Sequence, residues 1–287
     1  MQAHTPFAEM KEYHDKTVLV VGGDYDKCQN VARGYGFKHV VTPGDIITAY
    51  PDIWPFSKCF LDIYSKFARP LPKPINPANL ASSLKIDAIF VYNDPRDWAL
   101  DSTIILDLLL SHAGYLGTLS SYSGNKNLPN SGYQQDSQPA LFYSNPDLWW
   151  ASSYHLNRLG QGGFQAAFAG LWSTVTAGAK LDYTLIGKPH QPTYEFAERL
   201  LRRHRKALFE GRSVGLNDPL RRVYMVGDNP ESDIRGANNY KSAYGSEWKS
   251  ILVRTGVYKG GEPSCQPTIV LDDVQRAVEW ALEDAEK

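Results

Sequence analysis

The chain has 287 residues, 43% of them hydrophobic, and 30 Lys+Arg stand against 31 Asp+Glu for a formal charge of −1. That is enough apolar chain for one large domain or two ordinary ones, and so even a balance, with no long basic stretch, argues against a nucleic-acid partner. Cys28, Cys59 and Cys265 are odd in number, far apart and without a CxxC or histidine companion, which speaks against a disulfide framework or a zinc site and for a reducing compartment.

No apolar run approaches the roughly 18 residues of a membrane span; Ile104 to Leu110 comes nearest, so a soluble chain with no span is expected. The opening Met1-Gln2-Ala3-His4-Thr5-Pro6-Phe7 has neither the apolar stretch of a secretory signal nor the Arg-rich pattern of a presequence. Any address is expected to be absent or removed. The first predicted strand is Thr17-Val18-Leu19-Val20-Val21, closed by Gly22-Gly23, with a helix over 26–34 and a strand over 38–42 after it. Pro51, Pro55, Pro70, Pro72, Pro74 and Pro77, with Pro43 before them as further punctuation, make the next stretch mostly loop around a short helix at 62–67. A buried strand over 86–92 and an amphipathic helix over 98–111 follow, and this alternation predicts a parallel or mixed sheet in an α/β fold.

Residues 120–138, rich in Ser, Gly, Asn and Gln, read as an exposed loop or flexible insertion with a domain boundary after it. Beyond lie a strand at 139–144, a helix opened by Gly160-Gln161-Gly162-Gly163 and running to about Thr176, a strand at 183–186 and a long helix at 193–209. A strand at 222–226, a short helix at 232–238, a strand at 250–253 and a helix at 272–286 complete the pattern. The strands at 139–144, 183–186, 222–226 and 250–253 are apolar enough to be buried on both faces and are expected to share one core sheet.

The chemistry concentrates in two strand ends. Val223-Tyr224-Met225-Val226-Gly227-Asp228 carries an aspartate to the carboxyl end of a strand, where open α/β sheets place ligands, and Asp233 follows across one turn. Paired oxygen ligands of this kind suit Mg²⁺; the competing reading is a plain surface turn with Asp233 as a helix N-cap. Gly187-Lys188-Pro189 ends another short strand, and a lysine there can neutralise a phosphate oxygen and an aspartate together, although a lone strand-end lysine is more often simply solvated. The run Val20-Val21-Gly22-Gly23 lacks a full GxGxxG and reads as an ordinary strand-to-helix turn.

Gly187-Lys188-Pro189, Gly227-Asp228-Asn229-Pro230-Glu231-Ser232-Asp233-Ile234 and Val253-Arg254-Thr255-Gly256-Val257 resemble the third and fourth motifs of the haloacid dehalogenase superfamily, in its class IIA phosphatases. Asn145-Pro146-Asp147 looks like the return from cap to core in that class. Tyr92-Asn93-Asp94-Pro95-Arg96-Asp97-Trp98 and Leu159-Gly160-Gln161-Gly162-Gly163-Phe164 are similar to the mitochondrial cat eye syndrome critical region subgroup, fungal members included.

The resemblance implies a Rossmann-like core, lacking the strand of the first motif, with an α/β C2-type cap; the cap would span residues 1–144 and the C-terminal part of the core residues 145–287. It implies Mg²⁺ on Asp228 with Asp233 supporting the metal shell, Lys188 as catalytic residue, and Asn145, Asp94, Asp97 and Trp98 as substrate-binding residues for a small phosphorylated substrate. It also implies a mitochondrial location. No DxDG-type first motif precedes Asn145, and Asp24 and Asp26, which mimic its spacing, fall in the cap. The expected partner is therefore a complementing N-terminal fragment, or a second copy covering the gap, and the alternative is a non-catalytic binding or scaffolding protein. The DG-x2-AR motif and membrane helices of a CDP-alcohol phosphatidyltransferase are not found.

Overall fold

The computed structural model describes residues 3–209 and 220–287. In chain order its first elements are β1 (Thr17–Val21), α1 (Lys27–Gly34), β2 (His39–Val41), α2 (Pro43–Ala49), α3 (Leu61–Tyr64), β3 (Ala88–Val91) and α4 (Trp98–Leu110). Then come β4 (Ala140–Tyr143), β5 (Trp149–Trp150), β6 (Arg158–Leu159), α5 (Gln161–Val175), β7 (Thr184–Leu185) and α6 (Gln191–Leu208). The last are β8 (Arg222–Gly227), α7 (Arg235–Asn239), β9 (Glu247–Val253), β10 (Ile269–Leu271) and α8 (Val274–Ala285). The chain is α/β as expected, and its described strands fall into two separate parallel sheets and one short antiparallel pair.

The first sheet has the order β2-β1-β3-β4-β7, every pair parallel. Its central strands are β-branched and apolar because both faces are covered. Leu19, Val21, Ile89, Val91 and Leu141 point to one face, where Leu100, Ile104 and Leu108 of α4 and Phe164, Phe168 and Trp172 of α5 join them in one buried cluster. On the opposite face Phe90 is met by Phe7 and Phe142, each at 4.9 Å between ring centroids. Such rings bury large apolar areas and lock the sheet in register.

Three features of this unit differ from expectation. Pro43, read as loop punctuation, is instead the first residue of α2, where its missing N–H costs nothing; the Thr42 hydroxyl accepts from Asp45 N–H (3.2 Å) and the Asp45 carboxylate from Thr42 N–H (2.9 Å). Residues 120–138, expected as a flexible insertion, are tied down by reciprocal amide pairs. Asn130 exchanges hydrogen bonds with the Lys180 backbone at 2.8 Å each way, and Gln134 does the same with Asp182 at 2.7 and 2.9 Å. Those side chains imitate the backbone ladder of a strand, so polar composition here marks a fastened loop.

The third difference is the division of the chain. One compact unit is Phe7–Asn145 with Gln161–Leu185; the other joins Met1–Pro6 and Pro146–Gly160 to Ile186–Lys287. The expected single cut at 144/145, and the shared core sheet for strands 139–144 and 183–186, give way to an interleaved order. The reason is packing: α5 presents Phe164, Phe168 and Trp172 to α4 and to the sheet that already holds β4. Where residues 146–160 leave and rejoin the first unit, Asn145 N–H donates to Gln161 Oε1 (3.1 Å) and Gln165 Nε2 to Asn145 O (2.7 Å).

The second unit carries the parallel sheet β10-β9-β8 and the short antiparallel pair β5 and β6. Alternation along β8 is clean: Tyr224 and Val226 pack with Ala277 and Trp280 of α8, whereas Met225 packs with Tyr194, Ala237 and Tyr240 of α6 and α7 and their neighbours. Among the described residues, β8 pairs with a strand only on its β9 side, and no helix is long and apolar enough to cross a membrane.

Trp172 is 1% exposed and its indole N–H donates to Ala179 O at 3.0 Å. Trp172→Ala is expected to cost about 3–5 kcal/mol by cavity formation, read as a lowered midpoint in urea unfolding followed by circular dichroism.

Candidate active site

In the second unit, β8 brings Asp228 to its carboxyl end, and two glycines make room for what gathers there. A Cβ on Gly256 would fall 1.7 Å from Asp228 Oδ2, and one on Gly227 would fall 2.3 Å from the Asp233 carboxyl. Only glycine permits these approaches. The loop after β9 closes on Asp228: Val257 N–H donates to Oδ2 at 2.5 Å and Tyr258 N–H to the Asp228 carbonyl at 2.9 Å.

Asp233 is set by the tight helical turn Pro230–Ile234. Asn229 caps that turn through Oδ1, which accepts from Glu231 N–H at 3.0 Å, and its carbonyl accepts from Asp233 N–H at 2.9 Å. The buried Tyr194 hydroxyl spans the Ser232 and Asp233 carbonyls (3.0 and 3.2 Å), and its ring reaches them because Gly236 has no side chain in the way. Both carboxylate oxygens of Asp233 are engaged: Oδ2 accepts from Asn229 N–H at 3.1 Å and Oδ1 takes a short ion pair from Lys188 Nζ.

Lys188 is held from the other side. The Thr193 hydroxyl at the start of α6 donates to the Ile186 carbonyl, and His190 N–H donates to Gly187 O at 3.0 Å. The Lys188–Pro189 peptide is cis. The strand-end lysine and the strand-end aspartates of the sequence are thus brought together, and a residue the sequence reading names only within the return from cap to core joins them: Asp147.

Burial pushes the Asp147 carboxyl above the usual carboxylate range, and the negative charges of Asp233 and Asp228 push the same way against the pull of Lys188 and a Ser232 hydrogen bond. For Lys188 burial works downward, yet Asp233 foremost, then Asp147 and Asp228, hold its pKa above the ordinary lysine value. The ammonium is therefore firmly charged, with more negative charge around it than it can neutralise. Among the described residues no three His, Cys, Asp or Glu side chains form a ready-made metal cage.

The other predicted residues lie in the first unit. The backbone of Asn145 is bound to Gln161 and Gln165. The Asp94 carbonyl accepts from Gly23 N–H (3.1 Å) and from Arg96 Nη1 (2.6 Å). Asp97 caps α4, accepting from Leu100 N–H at 3.1 Å, and with Trp98 lines a cavity of about 540 Å³.

A family described as HAD-hydrolase-like matches residues 185–277, a span lying almost wholly in the second unit. A mitochondrial hydrolase of Saccharomyces cerevisiae is 38% identical over 298 residues, covering 99% of this chain and 77% of the yeast protein. A cardiolipin synthase (CMP-forming)/mitochondrial hydrolase fusion protein of Schizosaccharomyces pombe is 37% identical over 283 residues, 98% of this chain and 42% of the fusion. Among solved structures, a hypothetical protein of Pyrococcus horikoshii aligns with a TM-score of 0.48 at 16% identity, over 97% of this chain and 73% of that one. A glycerol phosphate phosphatase of Mycobacterium tuberculosis in complex with calcium aligns with a TM-score of 0.35 at 18% identity, over 93% and 67%.

A carboxyl with a raised folded pKa binds its proton more tightly folded than unfolded, so Asp147 costs stability once pH climbs above the ordinary carboxylate range of about 4. Asp147→Asn should show no gain over the wild type below that range and should gain on it as pH rises to neutrality, seen as a growing difference in Tm. A difference that stays flat with pH would contradict the charge excess.

Proposed function

Because the chain belongs to the haloacid dehalogenase superfamily, in the group of fungal mitochondrial hydrolases, we propose that it supplies the lysine and the metal-binding carboxylates of a Mg²⁺-dependent phosphomonoesterase. The observation that carries this is one charged ammonium, Lys188, set among Asp147, Asp228 and Asp233. A phosphoryl group is a dianion that needs cations preorganised around it, and Lys188 is aligned by Asp233 before any substrate arrives.

The donor set fits Mg²⁺, which is commonly held by one or two carboxylates together with water and phosphate oxygens. Asp228 would hold the ion, with Asp147 beside it and Asp233 keeping Lys188 in place; the bound ion would neutralise phosphate charge. The nucleophile is proposed to be an aspartate from a segment outside this sequence, attacking phosphorus to form an aspartyl-phosphate that water then cleaves. Two observations support that: no DxDG sequence occurs before Asn145, Asp24 and Asp26 lying in the other unit, and β8 has an edge open to a further strand. The yeast relative is named as a mitochondrial protein, and the same compartment is proposed here. Asp97 is engaged as the cap of α4 and lines, with Trp98, the cavity of the first unit, so Asp94 alone of those three is kept as a proposed substrate contact.

The purified chain alone is expected to show negligible turnover of a generic phosphomonoester, and co-expression with an upstream fragment carrying the DxDG motif should restore it. In that complex Lys188→Met should lower kcat by roughly 10²–10³-fold. Robust Mg²⁺-dependent turnover by the lone chain would overturn the division of labour, and a stable but inert complex would leave a scaffolding protein. Independently of activity, millimolar Mg²⁺ should raise the Tm of the wild type and leave that of Asp228→Asn unmoved.

A further inference from the structure

The cavity in the first unit is a second site with its own chemistry. From β1 the chain runs to β2 on one side of the sheet and then to β3 on the other, so the crevice beyond the carboxyl ends of β1 and β3 is the topological switch point, where open parallel sheets hold ligands. The two loops that leave those ends are pinned together: Gly23 N–H donates to Asp94 O at 3.1 Å, and Gly22, at φ +100°, passes so close to Asn93 that a Cβ would meet its carbonyl at 2.1 Å.

The walls are aromatic. Tyr25 and Phe67 lie with ring centroids 4.3 Å apart, and Phe60, Tyr64 and Trp98 complete the lining. Tyr25 is 66% exposed and Phe60 and Phe67 38% each, an unusual amount of open aromatic surface for one cavity mouth.

The floor is polar and short of donors. Asp101 is 6% exposed and its carboxyl takes a hydrogen bond from the Asp97 backbone; Gln29 is 1% exposed and its Oε1 accepts no hydrogen bond, its amide nitrogen being spent on Asp45 Oδ2 (2.8 Å) and Val40 O (3.2 Å). Asp97 adds a carboxylate that takes the Tyr64 hydroxyl at 3.2 Å. Arg96, the one cation among the lining residues, is committed to Asp24 (2.9 Å) and to the Asp94 carbonyl (2.6 Å). Burial, and after it the Asp97 charge, hold the Asp101 carboxyl well above the ordinary range. The Cys28 thiol is pushed up to about 11 by burial, so it stays protonated and offers no thiolate chemistry.

We propose that this cavity binds a flat organic cation, an amidinium or guanidinium or a protonated amino-heterocycle, whose head donates hydrogen bonds toward Asp101 and Gln29 while its plane stacks on the aromatic walls. A buried acceptor without a donor, as at Gln29 Oε1, is costly, and a cationic donor relieves that cost and the repulsion between Asp97 and Asp101 together; cations also favour aromatic faces. Phosphate is the wrong ligand here, because Asp24 and Asp26 follow Gly23 in the lining and the one cation among the described lining residues, Arg96, is paired with Asp24. The cavity belongs to the first unit and Lys188 to the second, so the inference stands apart from the phosphohydrolase reading.

The test is calorimetric titration of the full chain with benzamidine, its neutral isostere benzamide, and benzoate. Benzamidine should bind at least about tenfold more tightly than benzamide, and benzoate should not bind. Asp101→Asn should bring benzamidine down to the benzamide level, and Tyr25→Ala, at an exposed position where folding is not at stake, should weaken benzamidine several-fold. Equal binding of benzoate, no binding of benzamidine, an undiminished preference in Asp101→Asn, or unchanged affinity in Tyr25→Ala would each overturn the proposal.

Discussion

One ammonium set among three carboxylates is the constraint on which the second unit depends. Lys188 is ion-paired with Asp233, and Asp147 and Asp228 add like charges beside that pair, so that the pull of Lys188 on Asp147 is opposed by burial and by both neighbouring carboxylates. Buried charge of one sign is expensive unless it is paired. The glycines at 227 and 256, the clamp of Tyr194 on the turn before α7 and the Val257 amide on Asp228 all serve to hold these groups close in spite of that repulsion. Such an arrangement is a poor stabiliser and a good receptor, since whatever brings positive charge relieves it.

The two units place polar groups by the same geometric rule and with opposite result. In each, parallel strands deliver loops to their carboxyl ends, and helices start beside them. At β8 the cluster has a lysine at its centre among carboxylates; at β1 and β3 the one cation among the lining residues is bound to Asp24, and Asp101 and Gln29 share the cavity with aromatic walls. Sheet architecture therefore specifies where chemistry gathers, and a few charged residues decide which ligand is welcome.

How much of this was legible in sequence follows from how local each signal is. Thr17–Val21, Ala88–Val91 and Arg222–Gly227 are apolar runs bounded by glycine or polar residues, and Asp228 and Lys188 sit at strand ends that motif spacing reveals. Helix α2 was hidden because proline both ends and begins helices, and only the reciprocal Thr42–Asp45 cap distinguishes the cases. The shared sheet expected for 139–144, 183–186 and the later strands failed because periodicity reports burial and says nothing of which sheet a strand joins. Asp147 was harder to find: Asp228 follows β8 directly, whereas Asp147 lies past the end of β4 by several residues, and Asn145-Pro146-Asp147 reads only as the return from cap to core. The amide pairs of Asn130 and Gln134 with residues 180 and 182 link positions far apart in the chain, and no local pattern announces them.

The clamp between Asn145 and the side chains of Gln161 and Gln165 bears on how such a chain can diversify. Because the first unit already brings the two ends of residues 146–160 together, lengthening that excursion adds little closure entropy, about 0.6 kcal/mol for a doubling. Descendants of this chain are free to rewrite the hairpin of β5 and β6, with its exposed Trp149 and Trp150, while the five-stranded sheet keeps its register. Heritable novelty is channelled into one excursion, and the carboxylate at 147 stands at its very first turn.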